Sequence, residues 1–386
     1  MKILIISEYF PTQKDLKFSG GVEARNIYHV KYLAKKHKVV VITSNQGKEK
    51  RIFKNKNLTI FRVGPGKKYQ AKRTLIESLK NLKFIFEAIK FGATIDFDLV
   101  EGTNFLTHAI ALRIGKKKKR PILFWYPDVY LNSWIKNYGL FQGLFGELLE
   151  RINLNSNPNA YVAISKSTKK KLIDNEIDPK KIFVVECGVD KSEFKKIERK
   201  FKNKTIIAIS RLVKYKNLDI LLFAFQKLVL KYADLSLIIV GSGPQKNHLI
   251  SLSKKLRINT RVKYLSNLKR KELISLLKRS HLFCLPSLVE GFGISVIESA
   301  AAGVPYLVSN IPVFREVTKN GHGGVLFNPD DYNQLQTEIE KFFKDGKYYD
   351  KKSNDSIELA NKYDWKEITE RTVNIYKKII SDYEKR

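Results

Sequence analysis

Short apolar runs rich in β-branched residues recur along this chain at βα spacing, and the series breaks once and then restarts. KILIIS, KVVVITS, LTIFRV, FDLVEG, PILFWY and AYVAIS fill the first half, bounded by turn residues and separated in several places by amphipathic segments. Runs of that length and apolarity read as parallel strands buried on both faces. Val22, Ile27, Val30, Leu33 and Ala34 lie near one helical face with lysines opposite, so a helix packs on the sheet after the first strand. Past the lysine-rich stretch VVECGVDKSEFKKIERKFKNK the pattern resumes with TIIAIS, LSLIIVGSG, RVKYLS, HLFCLPS, PYLVSN and GGVLF. A chain of 386 residues, 43% hydrophobic, has material for two cores. The expected fold is α/β, two doubly wound domains over residues 1–190 and 191–364, joined near 188–203, with a helix at 365–386.

Ligands of doubly wound folds bind at the carboxyl ends of strands. In the first half the runs lead to Gly20-Gly21, Ser44-Asn45, Glu101-Gly102, Asp128 and Ser165. In the second they lead to Arg211, Gly241-Ser242-Gly243, Ser287-Leu288-Val289-Glu290 and Ser309-Asn310. These polar ends are expected to converge on one interdomain cleft.

The stretch PSLVEGFGISVIESAAAGVP reads as the end of a strand, a glycine-permitted turn and a helix closed by Gly303 and Pro305. Gly291 and Gly293 let backbone approach a ligand, and the first-turn amides around Ile294 and Ser295 suit phosphate oxygens. Glu290 before the helix and Glu298 about one turn into it could reach different hydroxyls of one elongated ligand. An acidic helix start, with Glu298 on a solvated face, reads from the same letters. Arg211 and Lys216 follow a strand, a planar fork and a point charge placed for a pyrophosphate. Asp128 ends the PILFWY strand and could orient a substrate hydroxyl or cap the loop after Pro127.

A net charge of +34 calls for an anionic partner, and residues 31–90 hold 17 Lys/Arg against 3 Glu. Cys187 and Cys284 read as free cytosolic thiols, the six histidines lack ligand spacing, and Asp96–Asp98 (DFD) read as a turn entering a strand, so no metal site is expected. MKILIISEYFP reads as strand and turn rather than a leader, and no apolar run approaches the roughly 18 residues that span a bilayer. The expected location is cytoplasmic, with peripheral contact on the cytosolic face as a further option. In AKRTLIESLKNLKFIFEAIKFG, residues 71–92, Leu75, Leu79, Leu82, Phe86 and Ile89 share one helical face and Lys72, Lys83 and Lys90 another. Such a helix either lies on anionic lipid, through residues 72–91, or covers a sheet with its lysines outward.

The ordered set Gly20-Gly21-Val22, Gly188-Val189-Asp190, Arg211-Leu212 with Lys216, Gly241-Ser242-Gly243, and Glu290-x7-Glu298 with Gly303-x-Pro305 resembles the family 4 glycosyltransferases of the GT-B fold over nearly the whole chain. The resemblance implies two facing Rossmann-like domains, with the acceptor on the first, a nucleotide-sugar donor on the second, and a C-terminal helix crossing back to the first. It implies that Arg211 and Lys216 neutralise the donor diphosphate, that Glu290 and the amides of Phe292 and Gly293 contact the sugar, that Glu298 binds the ribose and that Gly21 lies against the phosphates. Cys187, Asn217 and Asp128 stand where the family often has Asn, Gly and His or His-Asp. The implied reaction is retaining hexosyl transfer without metal or other cofactor, to a lipid-linked or cell-surface glycan. Competing readings are a GT-B epimerase or hydrolase acting on the same donor, and a basic nucleic-acid-binding protein. Against the latter, the chain has no RNP-like strand, helix-turn-helix or zinc knuckle.

Overall fold

The computed structural model describes residues 1–11, 20–46, 50–66, 75–135 and 139–385. Two units emerge. The first runs to Cys187 and takes back the chain from Trp365 onward; the second holds Gly188–Asp364.

In the first unit the apolar runs alternate with helices as β1 (Lys2–Ser7), α1 (Gly21–Leu33), β2 (Lys38–Ser44), β3 (Ile52–Asn55), β4 (Leu58–Val63), α2 (Leu75–Gly92), β5 (Leu99–Gly102), α3 (Phe105–Lys118), β6 (Ile122–Tyr126), α4 (Leu140–Leu154), β7 (Ala160–Ala163), α5 (Lys166–Ile173) and β8 (Ile182–Val184). The sheet order is β3-β4-β2-β1-β5-β6-β7-β8. Ile3 faces Val39 on one side and Leu99 on the other, and every pairing is parallel except β3 with β4. Right-handed crossovers put α2, α3, α4 and α5 on one face and α1 on the other. Helix α3 packs between α2 and α4 over a core that includes Leu4, Phe84, Ile110 and Phe124.

The second unit runs β9 (Thr205–Ile209), α6 (Leu218–Val229), β10 (Ser236–Val240), α7 (Lys246–Lys255), β11 (Val262–Leu265), α8 (Arg270–Arg279), β12 (Leu282–Leu285), α9 (Ile294–Ala301), β13 (Tyr306–Ser309), α10 (Pro312–Val317), β14 (Gly324–Phe327), α11 (Tyr332–Lys344) and α12 (Gly346–Asn361). Its parallel sheet is ordered β11-β10-β9-β12-β13-β14. The chain builds outward from β9 in one direction and from β12 in the other. The two strands therefore flank a topological switch point, where the loops diverge and leave a crevice at the carboxyl ends.

Strands β3 and β8 correspond to none of the runs read from the sequence. β3 is an exposed antiparallel edge, so nothing demands apolar residues there, and β8 has three residues.

The last helix, α13 (Trp365–Glu384), packs on α1. Trp365 stacks on Tyr28 at 6.0 Å. Beneath it, Arg25 pairs with Glu101 at 2.5 Å, Tyr376 donates to the same carboxylate, and Tyr376 and the His29 ring are 2.9 Å apart. All four residues are buried, and Arg25 also lies 4.6 Å from the Trp125 ring. Cys187 and Cys284 are buried free thiols, and burial pushes the Cys187 thiol up to about 12. Among the described residues no helix is long and apolar enough to cross a membrane.

Candidate active site

Ten of the sequence-derived candidates lie in the second unit, and the loops after β9, β10 and β12 position most of them. After β9 the chain passes through Arg211 and a short 3-10 turn, Lys214–Lys216, into α6. Leu212 donates to the Ser242 carbonyl at 2.9 Å and its own carbonyl accepts from Gln245 at 2.9 Å, so the Gly-Ser-Gly turn is laced to the Arg211 loop. A Cβ on Gly241 would fall 1.9 Å from the Ser210 carbonyl oxygen, and one on Gly243 2.3 Å from that of Leu212. Both glycines are needed for this close backbone approach. Asn217 takes φ +52, a left-handed conformation that Asn tolerates, at the position where the resemblance expects Gly.

The loop after β12 meets this structure. Leu288 donates to the Tyr215 carbonyl at 2.8 Å. Lys216, buried, forms an ion pair with Glu290, whose Oε1 also accepts from Ser287 at 3.1 Å. Arg211 donates to the Tyr215 hydroxyl, and the Lys216 ammonium lies 5.1 Å from the same ring. Two cations are thus gathered around one tyrosine, next to a carboxylate. Gly293 follows at φ +89, where a Cβ would meet Phe314 at 2.6 Å, and it opens α9. The amides of Ile294 and Ser295 in that first turn have no intrahelical acceptor. Gly291 lies in the turn ahead of them, whereas the Phe292 ring is buried at 5.7 Å from Tyr363 and leaves its amide as the group that could face a ligand.

Glu298 is held separately. Arg270, at the start of α8, reaches it at 2.5 Å and reaches Glu193 at 3.0 Å. Burial raises the Glu298 carboxyl above its ordinary range, Arg270 opposes the shift and Glu193 reinforces it. This burial excludes a solvated helix face as the place of Glu298.

Gly20, Gly21 and Asp128 belong to the first unit. Gly20 is extended at the N-cap of α1, and Gly21 is exposed at its first position. Asp128, buried two residues past the end of β6, pairs with Lys171 at 2.7 Å and accepts from the Val129 amide at 2.9 Å. The sequence reading placed Ser287 at the strand end but missed Tyr215, Arg270, Glu193 and Lys171. Tyr215 stands between two candidates in RLVKYK, but Arg270 is one basic residue within LKRKEL and carries no local mark.

A parallel sheet with charged and glycine loops at its switch point is the build of a nucleotide-binding α/β enzyme. The family model for glycosyl transferases group 1 matches residues 189–361, and that for glycosyltransferase family 4 matches residues 19–193. A human phosphatidylinositol N-acetylglucosaminyltransferase subunit is 24% identical over 98% of this chain and 76% of its own length. Sucrose-phosphate synthase from Thermosynechococcus elongatus superimposes with a TM-score of 0.83 at 17% identity, over 99% of both chains. Anabaena Alr3699/HepE, solved with UDP-glucose, superimposes with a TM-score of 0.76 at 16% identity, over 98% of this chain and all of its own. The fold is GT-B, two Rossmann-like α/β domains, and the chain belongs to the family 4 glycosyltransferases. It is a glycosyltransferase enzyme.

Proposed function

We propose that this enzyme moves a sugar from a nucleoside-diphosphate donor to a lipid-linked or cell-surface glycan, with retention at the anomeric carbon and without a metal. The observation that carries the reading is the buried Lys216–Glu290 pair, with Arg211 close by, in the two loops that flank the β9/β12 switch point. As a nucleoside diphosphate leaves, negative charge builds on its phosphates and positive charge on the sugar ring. Arg211, Lys216 and the first-turn amides of α9 stabilise the leaving group without reorganising. Glu290 and the Phe292 and Gly293 amides hold the sugar, and Glu298, fixed by Arg270, takes the ribose hydroxyls. Retention follows if the acceptor attacks from the face the diphosphate leaves, with a donor phosphate oxygen accepting its proton. Asp128 orients the acceptor hydroxyl.

Support for the donor class comes from the neighbour solved with UDP-glucose, and for a glycolipid acceptor from the name of the human relative. Peripheral contact at the cytosolic face accords with α2, where Leu82 and Phe86 are exposed beside Lys83 and Lys90. Lys72 and the side chains of Leu75 and Leu79 lie outside the described residues.

Sugar transfer by Arg211→Ala, Lys216→Ala and Glu290→Ala tests the site. Each is expected to lose about 100-fold or more, the scale of removing a preorganised charge partner. Full activity in all three removes this site. Release of the sugar in free form, with no glycosylated product from any acceptor offered, would replace transfer by hydrolysis or epimerisation.

A further inference from the structure

Helix α4 exposes an apolar stripe. Leu140, Leu144, Leu148 and Ile152, spaced four apart along one face, each expose half or more of their surface, as does Phe145 beside them. Its inner side carries polar groups beside Leu149 and Leu154, which join the core. Glu150 and Asn153 are buried; Glu150 accepts from the Tyr130 amide at 3.1 Å and the Trp134 indole at 2.5 Å, and Glu147 accepts from the Asn132 amide at 2.9 Å. Gly143 and Gly146 let the helix close on Ile135 and Trp134, where Cβ atoms would fall 2.5 and 2.4 Å from the nearest atoms. A helix that merely covers a sheet shows the reverse pattern. An apolar stripe running the length of a helix on an exposed surface is an interaction site.

The neighbouring helices say what covers it. α3, next to α4, turns Arg113, Lys116 and Lys117 outward, and α2 beyond it adds Lys83 and Lys90 beside exposed Leu82 and Phe86. Among the described residues the acids of this layer are engaged: Glu87 accepts from the Gly64 amide at 2.7 Å, and Glu147 pairs with Arg151 at 2.8 Å. Apolar stripes flanking a cationic one match an anionic bilayer, whose acyl boundary takes the leucines and whose headgroups take the lysines.

We propose that α4, with the outward faces of α3 and α2, is a docking surface for an anionic lipid bilayer. Docking there also sets the loop that follows Asp128. Glu150, on the side of α4 opposite the leucines, and Glu147 at its flank grip residues 130–134, so the element that meets lipid is the one that fixes the backbone past the end of β6. This rests on the reading of a lipid-linked acceptor, and it names the element that brings the acceptor side to the membrane.

The test is sedimentation with phosphatidylcholine vesicles, with and without about one third phosphatidylglycerol. The wild-type chain is expected to pellet with the anionic vesicles and to be released by high salt. Leu144→Gln/Leu148→Gln is expected to lower binding by roughly tenfold or more, and Lys116→Glu/Lys117→Glu to abolish the preference for anionic lipid. Both variants should keep the wild-type melting temperature and the wild-type rate of donor turnover with a water-soluble acceptor. Wild-type vesicle binding by the double glutamine variant overturns the proposal, as does failure of the wild type to bind. A wild-type dimer in lipid-free solution that the glutamine variant dissociates overturns it too, making a second copy the occupant. Vesicle binding that depends on Leu144 and Leu148 in a chain that turns over no nucleotide sugar would sustain the docking face and remove the functional reading instead.

Discussion

At the residue scale, tertiary partners decide what each group can do. A Cβ on Gly243 cannot coexist with the Leu212 carbonyl 2.3 Å away, so Gly243→Ala must displace the Arg211 loop. The expected result is a loss of roughly 2–4 kcal/mol in urea denaturation together with lost transfer activity, and an unchanged midpoint would show that the loop yields freely. Glu150 makes a pH prediction. Burial pushes its carboxyl up to about 7 from 4.5, opposed by the Trp134 and Tyr130 donors and reinforced by Asp128 and Glu147. The folded chain therefore keeps a proton that the unfolded chain releases, and this contribution is full below about 4.5 and lost as pH rises through about 7. Between those limits wild-type stability should fall relative to Glu150→Gln by on the order of 3 kcal/mol. Denaturation curves that stay parallel across the range would contradict it. The glutamates of the site were legible because their spacing and glycines form a local pattern. Arg270 was not, since its meaning lies in a partner 28 positions away, and in a chain with 72 Lys/Arg a single cation carries no signal.

At the scale of elements, α13 is tied to the first unit by more than its apolar face. Its Tyr376 hydroxyl is shared between His29 on α1 and Glu101 on β5, and Arg25 completes the buried cluster. Tyr376→Phe leaves a buried carboxylate short of a donor and should cost about 1–3 kcal/mol. Arg25→Met leaves that charge unpaired and should cost about 3–5 kcal/mol. Equal, small effects in thermal melts would mean that water serves Glu101 as well as these groups do. The buried parallel strands and their order were readable because each is a continuous apolar run. The edge strand β3 was not, because exposure removes the constraint that makes a strand visible. α4 was passed over for another reason: an apolar stripe at helical spacing looks the same whether it faces the sheet or the solvent, and the inward Glu150 and Asn153 settle which.

At the scale of the molecule, two α/β units and a switch point dressed with cations are the ground on which the proposed handling of a nucleoside diphosphate rests. The central claim is that Arg211, Lys216 and the first turn of α9 form the diphosphate site. The most direct measurement is a metal-free thermal-shift series with uridine, guanosine and adenosine diphosphates on the wild-type chain and on Lys216→Ala. At about 100 times its Kd a ligand that binds only the folded chain stabilises it by about 2.7 kcal/mol. At least one of the three is predicted to raise the wild-type melting temperature by a few degrees, and Lys216→Ala, still melting cooperatively, is predicted to lose that rise. A rise of equal size in both proteins, or none in the wild type with any of the three, would contradict the assignment.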